Sequence, residues 1–381
     1  MILNFKYRLK PNKEQELALN QHFFNSNQAW NHILNIKIKN LKRKNSFTDF
    51  NLIYKSCILS LEKRNLSINT GIIQSSLINC EKTFQQFFKN KRENGEQGFP
   101  KFKNSHNIEQ SFEFKNQGIT VTEKYFKIMR MKIKWNYHRE IPGKIKKVIV
   151  KRESDGKFYV ILSVEVEKEI YEKTGVNCGI DLNINNIAIA SSNGEKVLKS
   201  IEKLKKYTKK YMKLQKKLSE RYERKCKSKN TKKMQKQLNK IHKKVRNVKE
   251  DFYHKVSKEI VNNFDLIRIE KLEKKKMKEN APSRKMRRDI SEVSWESFVQ
   301  KIKYKAEMHS KVVEEVNPEY SSQRCNSCGH ISRNNRKTQE KFKCVKCGHE
   351  ENADINAAKN ILGYEKWSLE QKAICEKRFP Q

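Results

Sequence analysis

The sequence has no long apolar run: nothing approaches the roughly 18 residues that a membrane-spanning helix needs. It is also short of acid, with 43 Asp and Glu against 84 Lys and Arg, a net charge of +41. Self-repulsion of that size opposes a compact state unless a polyanion neutralises it. Nucleic acid is therefore the first candidate partner, along an extended phosphate track rather than one small contact. A lipidation signal and a basic amphipathic helix with a Trp/Leu face are both missing, which puts an anionic membrane surface well behind nucleic acid. The start, Met1-Ile2-Leu3-Asn4-Phe5-Lys6, alternates like a strand and lacks the pattern of a signal peptide. The nine cysteines are accordingly expected in a reducing cytosol, as thiols or metal ligands and not as disulfides. Cys57, Cys80, Cys178, Cys226 and Cys375 stand alone and read as free or buried thiols.

What is present is a chain of 381 residues, 36% hydrophobic and 33% charged, long enough for two or three domains with a sizeable core. Leu3, Phe5, Tyr7 and Leu9 alternate with polar residues and predict a half-buried strand. A helical stretch then runs to about residue 95 and is broken by Gly98-Phe99-Pro100. Strand patterns return from about 108 to 168, with a hairpin turning at Glu153-Ser154-Asp155-Gly156, and the first strand is expected to join this β unit. Residues 177–200 read as another hairpin, with Asn193-Gly194 as a turn signal. Residues 201–250 carry 21 Lys and Arg, four Asp and Glu, and neither Gly nor Pro. They predict a helical hairpin with its break near Cys226 to Thr231, and nucleic-acid contact explains their charge better than a solvated face. The strand Leu266 to Ile269 follows, then a polar, basic loop over 271–290, a helix over Trp295 to Val313, and a last helix from near Ala353.

Two C-x-x-C pairs, Cys325/Cys328 and Cys344/Cys347, are separated by fifteen residues, and Gly329 and Gly348 each follow the second cysteine of a pair. Paired knuckles of this kind suit one tetrahedral Zn²⁺ held by four thiolates, with an iron–sulfur cluster as the alternative. Such a closed site binds but performs no chemistry. His330 and His349 lie beside the knuckles and are not needed as ligands.

Three acids stand out. Asp181 sits among apolar residues in a strand, where it either pairs, ligates a metal or points outward from an edge. Glu270 ends an apolar strand, with Glu273 nearby as second choice, and Asp354 opens the last helix, where the helix dipole also favours an acid. The small pair Ala357-Ala358 calls for close packing of that helix, which is expected on the sheet that carries the other two acids. Two strand carboxylates and one helix-start carboxylate could converge on two Mg²⁺ ions for phosphodiester cleavage. Separations of 89 and 84 residues do not establish that geometry.

Seven segments in order carry a resemblance: Tyr7-Arg8-Leu9-Lys10-Pro11-Asn12-Lys13-Glu14-Gln15, Gly98-Phe99-Pro100-Lys101-Phe102-Lys103, Gly179-Ile180-Asp181-Leu182, Ile269-Glu270-Lys271-Leu272, the helix with Trp295, Phe298 and Tyr304-Lys305-Ala306-Glu307, Ser321-Ser322-Gln323 with Cys325, Cys328 and Gly329, and the Asp354 motif. Together they resemble the TnpB family of insertion-sequence proteins, relatives of the type V CRISPR effectors. The resemblance implies a multidomain α+β fold. An N-terminal β-barrel (1–10 and 96–170) would carry an inserted helical domain (11–95). An RNase H-like, RuvC-type α/β nuclease domain (171–318 and 351–381, with a basic helical hairpin at 200–260) would carry an inserted zinc ribbon (319–350).

It also implies an Asp-Glu-Asp site, here Asp181, Glu270 and Asp354, binding catalytic Mg²⁺, beside structural Zn²⁺ on Cys325, Cys328, Cys344 and Cys347. The implied activity is RNA-guided cleavage of double-stranded DNA beside a short flanking motif, with a guide RNA transcribed from the transposon end. Gln74, Lys115 and Asn116 stand where relatives read that motif, and the setting would be the bacterial cytoplasm, on the nucleoid. Two departures stand out: Asn352-Ala353 occupies the place of a His-Arg pair common in relatives, and no long C-terminal tail is expected. The competing readings are an RNA-guided repressor that does not cut, and an accessory or DNA-joining transposition protein. The complete set of acids speaks against the repressor, and the lack of a His-x-His pair against the joining enzyme.

Overall fold

A computed structural model describes residues 1–42, 49–66, 69–94, 98–115, 118–168, 171–199, 202–224, 228–317, 319–336, 338 and 340–365. They fall into two compact units: Met1–Glu167 with Gln235–Lys240, and Lys168–Met234 with the chain from Ile241 onward.

In the first unit β1 (Ile2–Lys10) is followed by three helices, α1 (Lys13–Lys42), α2 (Phe50–Glu62) and α3 (Thr70–Asn94), and not by one continuous helical stretch. Asp49 accepts from the Asn51 N–H to start α2, and Asn65, at φ 54°, ends the turn after it in the left-handed region that Asn tolerates. The helices close on their own core, with Ile33, Leu34, Ile53, Cys57, Ile73 and Leu77 buried. Six further strands follow: β2 (Gln110–Lys115), β3 (Thr120–Val121), β4 (Tyr125–Ile128), β5 (Met131–Trp135), β6 (Lys144–Arg152) and β7 (Phe158–Glu165). The sheet order is β2-β6-β7-β1-β5-β4-β3, antiparallel throughout. β1 is a central strand, paired from Ile2↔Glu165 to Leu9↔Phe158 on one side and at Leu9↔Trp135 on the other. Its alternation is the cause: Phe5, Tyr7 and Leu9 all enter the core.

The second unit begins with three antiparallel strands where the pattern suggested one hairpin: β8 (Asn177–Leu182), β9 (Asn186–Ser191) and β10 (Gly194–Lys199). The basic segment forms α4 (Glu202–Glu223) and α5 (Lys229–Asn263), the latter capped by Ser228; Cys226, at the expected break, lies outside the described residues. Then come β11 (Leu266–Glu270), α6 (Lys274–Glu279), α7 (Arg284–Glu292), α8 (Trp295–Met308), β12 (Val312–Val316), β13 (Lys341–Lys343), β14 (Glu350–Asn352) and α9 (Ala353–Leu362). The expected loop over 271–290 is thus two short helices. Ser283 caps the second by accepting from the Met286 N–H, and Ala281 and Ile290 anchor them in the core. Val313, read as helical, lies instead on β12.

The five-stranded sheet runs β10-β9-β8-β11-β12, with β11 parallel to both β8 and β12. One face of β8 and β11, Cys178, Ile180, Leu182, Ile267 and Ile269, packs in a core with Val256 and Ile260 of α5 and Phe298 and Ile302 of α8. The other face carries Gly179, Asp181, Arg268 and Glu270, with Ala190 and Ala188 opposite the first two, and α9 lies on it. The fit is close because residue 179 has no side chain: a Cβ there would fall 2.2 Å from the Ala358 carbonyl oxygen and 2.4 Å from the Leu362 nitrogen.

Both obstructing atoms are backbone, so Gly179→Ala must push α9 off the sheet. Overpacking of this kind costs about 1–3 kcal/mol. Thermal unfolding should show a clear fall in Tm, whereas Gly98→Ala, with nothing within 4 Å of the added carbon, should leave it unchanged.

Candidate active site and metal centre

Strand alternation turns Asp181 away from the apolar core that takes Ile180 and Leu182, toward α9. Glu270 is the last residue of β11 and Asp354 the second of α9. All three carboxylates are buried, at 6%, 8% and 4% exposure, and they meet. The Asp181 and Glu270 side chains interact directly, and Asp181 feels the charge of Asp354. The Leu182 N–H donates to Glu270 Oε1 at 3.1 Å. Asn183 donates its Nδ2 to Asp181 Oδ2 at 2.7 Å, and Asn186 donates its Nδ2 to Asp354 Oδ2 at 2.8 Å. Arg336 Nη2 lies 3.3 Å from Asp354 Oδ1.

Burial, then the charge of Asp354, lifts Asp181 to about 6, against the pull of the Asn183 amide. Burial and the Asp181 charge hold Glu270 well above the usual carboxylate range. Among the described residues, three buried acids beside the Arg336 guanidinium form a site short of positive charge. The Asn186 Oδ1 is buried there too and has no hydrogen-bond partner. Hard oxygen donors of this kind suit Mg²⁺.

Glu273, the second choice for the strand-end acid, is exposed and paired with Lys276. Gln74 is exposed on α3 and Lys115 is exposed at the end of β2. The two elements touch where Gly71 faces Phe114, so these residues share one region of the first unit, remote in sequence from the acids. Asn116 lies outside the described residues.

The four cysteine sulfurs lie within 4.8 Å of one another, with Cys325 and Cys347 at 3.8 Å and Cys328 and Cys344 at 3.6 Å. Tetrahedral zinc with Zn–S near 2.3 Å puts sulfurs about 3.8 Å apart, so the set can hold a metal such as zinc. The two knuckles repeat one hydrogen-bond scheme. The Cys325 N–H donates to the His330 carbonyl and the Gly329 N–H to the Cys325 carbonyl; Cys344, His349 and Gly348 do the same. Gly329 and Gly348 stand at φ 77° and 73°, the backbone freedom their positions suggested. Burial pushes the Cys325 thiol up to about 12. Cys344 is desolvated too, but the backbone amides of Cys347 and Lys346 outweigh that and draw it down to about 7. Among the described residues the cluster consists of the four cysteines, without His330 or His349.

Three features escaped the sequence reading. Asn352 is the N-cap of α9, accepting from the Asp354 and Ile355 N–H groups. Asn356 and Asn360, one turn apart and 0% and 1% exposed, tie α9 to the ribbon: both donate to the Arg324 carbonyl, Asn356 accepts from the Asn326 N–H, and Asn360 donates to the Ser321 carbonyl. The i, i+4 spacing of those asparagines was a visible signal. Arg336, which the ribbon delivers to Asp354, left none, since it is one basic residue in a polar stretch.

Comparison with known proteins gives these parts a family. The model described as "Probable transposase" matches residues 161–281, that described as "Cas12f1-like, TNB domain" matches 295–361, and that described as "Helix-turn-helix domain" matches 1–46. The "Putative RNA-guided DNA endonuclease InsQ" of Escherichia coli (strain K12) is 28% identical over 94% of this chain and 91% of its own length. "TnpB-like protein L79" of Acanthamoeba polyphaga mimivirus is 32% identical over 33% of this chain and 25% of its own. In all three parts the chain is similar to proteins of the TnpB kind.

Its fold is also that of a chain in the solved "Cas12f1-sgRNA-target DNA complex", with a TM-score of 0.62 and 17% identity over 92% of this chain and 83% of the other. The helix-turn-helix label does not describe the fold here, since residues 1–42 form one strand and one helix. Immediately before Asp354 the chain has the Asn352 cap, and the guanidinium beside Asp354 comes from Arg336.

Two outcomes follow. The Asp181 carboxyl rises from 3.8 to about 6 on folding, so the folded protein binds the proton more tightly. In Mg²⁺-free buffer this contribution is complete below the unfolded value and is lost as pH rises from about 4 through about 6. Melting curves of Asp181→Asn against wild type should diverge across that window, with the variant the more stable at neutral pH; parallel curves would refute it. Metal analysis should find about one zinc per chain. Cys344→Ser should lose it together with several degrees of Tm, and full metal retention would remove the assignment.

Proposed function

We propose that the chain is an RNA-guided endonuclease that cuts double-stranded DNA beside a short flanking motif by Mg²⁺-dependent phosphodiester hydrolysis. The observation that carries this reading is the convergence of Asp181, Glu270 and Asp354, from two strands and a helix start, in a buried site short of positive charge. The mixed order of the five-stranded sheet supports an RNase H-like, RuvC-type core. The relatives' names support the RNA-guided activity, and a net charge of +41 suits a guide RNA and target DNA as partners.

In this reading the three carboxylates hold two Mg²⁺ ions. Bound there, Mg²⁺ supplies an activated water and offsets charge on the leaving 3′ oxygen. Asn183 and Asn186 fix the orientation of Asp181 and Asp354 through their amide donors. Arg336 brings a guanidinium to the scissile phosphate and offsets charge that develops in the transition state. Zinc on Cys325, Cys328, Cys344 and Cys347 holds the loop that presents Arg336. Gln74, Lys115 and Asn116 read the flanking motif, and the enzyme works on the nucleoid of a bacterial cell.

The test is cleavage of a target matched to the co-purified RNA. Asp181→Ala should abolish cutting while RNA binding survives. Arg336→Ala should slow it by about 10²–10³-fold with zinc content unchanged. Wild-type protein that binds the target in Mg²⁺ without cutting it would replace this reading with that of an RNA-guided repressor.

A further inference from the structure

A cavity of about 470 Å³ opens within the second unit, walled on one side by the β8–β9 turn, Asn183 to Asn186, whose asparagines bond to Asp181 and Asp354. We propose that it binds the base of an unstacked nucleotide in the DNA strand being cut. The proposal rests on the endonuclease reading and adds a substrate subsite to it.

The walls fit a base. Ile184, Leu198, Phe252 and Trp295 line the cavity with apolar and aromatic surface, which has nothing to offer a phosphate but suits the face of a heterocycle. Its size falls within the roughly 300–1,000 Å³ of small-molecule sites, enough for a nucleoside and too little for a duplex. A base reaches it only from an unpaired strand, where the cost of unstacking is least. The rim fits the backbone. Lys209, Lys285 and Arg288 line the cavity and are exposed, so the sugar–phosphate chain of a seated nucleotide meets positive charge. The acids in the lining, Asp289 and Glu292, lie together on α7, where Asp289 is 3.6 Å from Arg288 and the Glu292 carbonyl accepts from Lys249. Carboxylate oxygens there can accept from the exocyclic amino groups of bases.

Position ties the cavity to the chemistry. The turn that walls it also braces the acids, through Asn183 to Asp181 and Asn186 to Asp354. Trp295, another wall, donates its Nε1–H to the Asn183 carbonyl at 3.2 Å. A base seated against this turn therefore sits next to the groups that orient Asp181 and Asp354, and its own phosphate is held near them.

The experiment scans the substrate. In a target matched to the co-purified RNA, each nucleoside flanking the mapped cut is replaced in turn by an abasic residue, and single-turnover rates are measured. One position should slow wild-type cleavage by about 5- to 150-fold, the equivalent of roughly 1–3 kcal/mol of base–aromatic contact. Leu198→Trp, which fills the cavity, should cut the intact target at a similarly reduced rate and show no further loss at that position. Equal wild-type rates on all abasic targets overturn the subsite and leave the endonuclease reading intact, a result that does not depend on any variant folding. Additive losses in Leu198→Trp also overturn it, because the sensed base would then bind elsewhere. Wild-type protein that cuts no target, in Mg²⁺ and with bound RNA, overturns the endonuclease reading and the subsite with it.

Discussion

The second unit depends on how closely α9 can approach the sheet. An acid-bearing face of β8 and β11 would ordinarily be turned to water. Here Gly179, Ala188 and Ala190 leave it so flat that a helix backbone lies directly on it, and Asp354 is carried down beside Asp181 and Glu270. The helix is secured at both ends: Asn186 holds Asp354 at its start, and the buried Arg268 donates to the Leu362 carbonyl at its end. Close packing thus creates the desolvation that raises the Asp181 and Glu270 carboxyl groups, and the same desolvation makes the site a strong attractor for cations.

The cysteine ribbon takes its place in this arrangement through α9. Asn356 and Asn360 satisfy backbone groups of the ribbon, and Arg336 reaches back to Asp354, so the helix that bears the third acid is tied to the ribbon at both places. A closed four-thiolate site performs no chemistry, but it holds a loop short of other core: its apolar cluster is Cys325, Phe342, Cys344 and Ala353. Metal, helix and arginine are therefore expected to be lost together.

Features whose physics is local were legible in the chain. The first strand could be read because alternation is a nearest-neighbour property, and the knuckles because two residues between cysteines define a turn. The helices over 271–290 were not, since six residues with none buried and nine with Ile290 alone buried make too short a period to detect. Arg336 was invisible for a different reason: a lysine- and arginine-rich chain offers dozens of equivalent cations, and only the fold distinguishes the one beside Asp354.

By itself, the sequence determined the two-fold periodicity of β1, β8 and β11, the two C-x-x-C pairs and the excess of positive charge, all set by residue type and short spacing. Tertiary structure decided that acids 89 and 84 residues apart share one buried site, that Asn352 caps a helix, and that Arg336 supplies the guanidinium there. Those depend on which surfaces meet. Here that was settled by the absence of a side chain at residue 179, which carries no chemistry of its own.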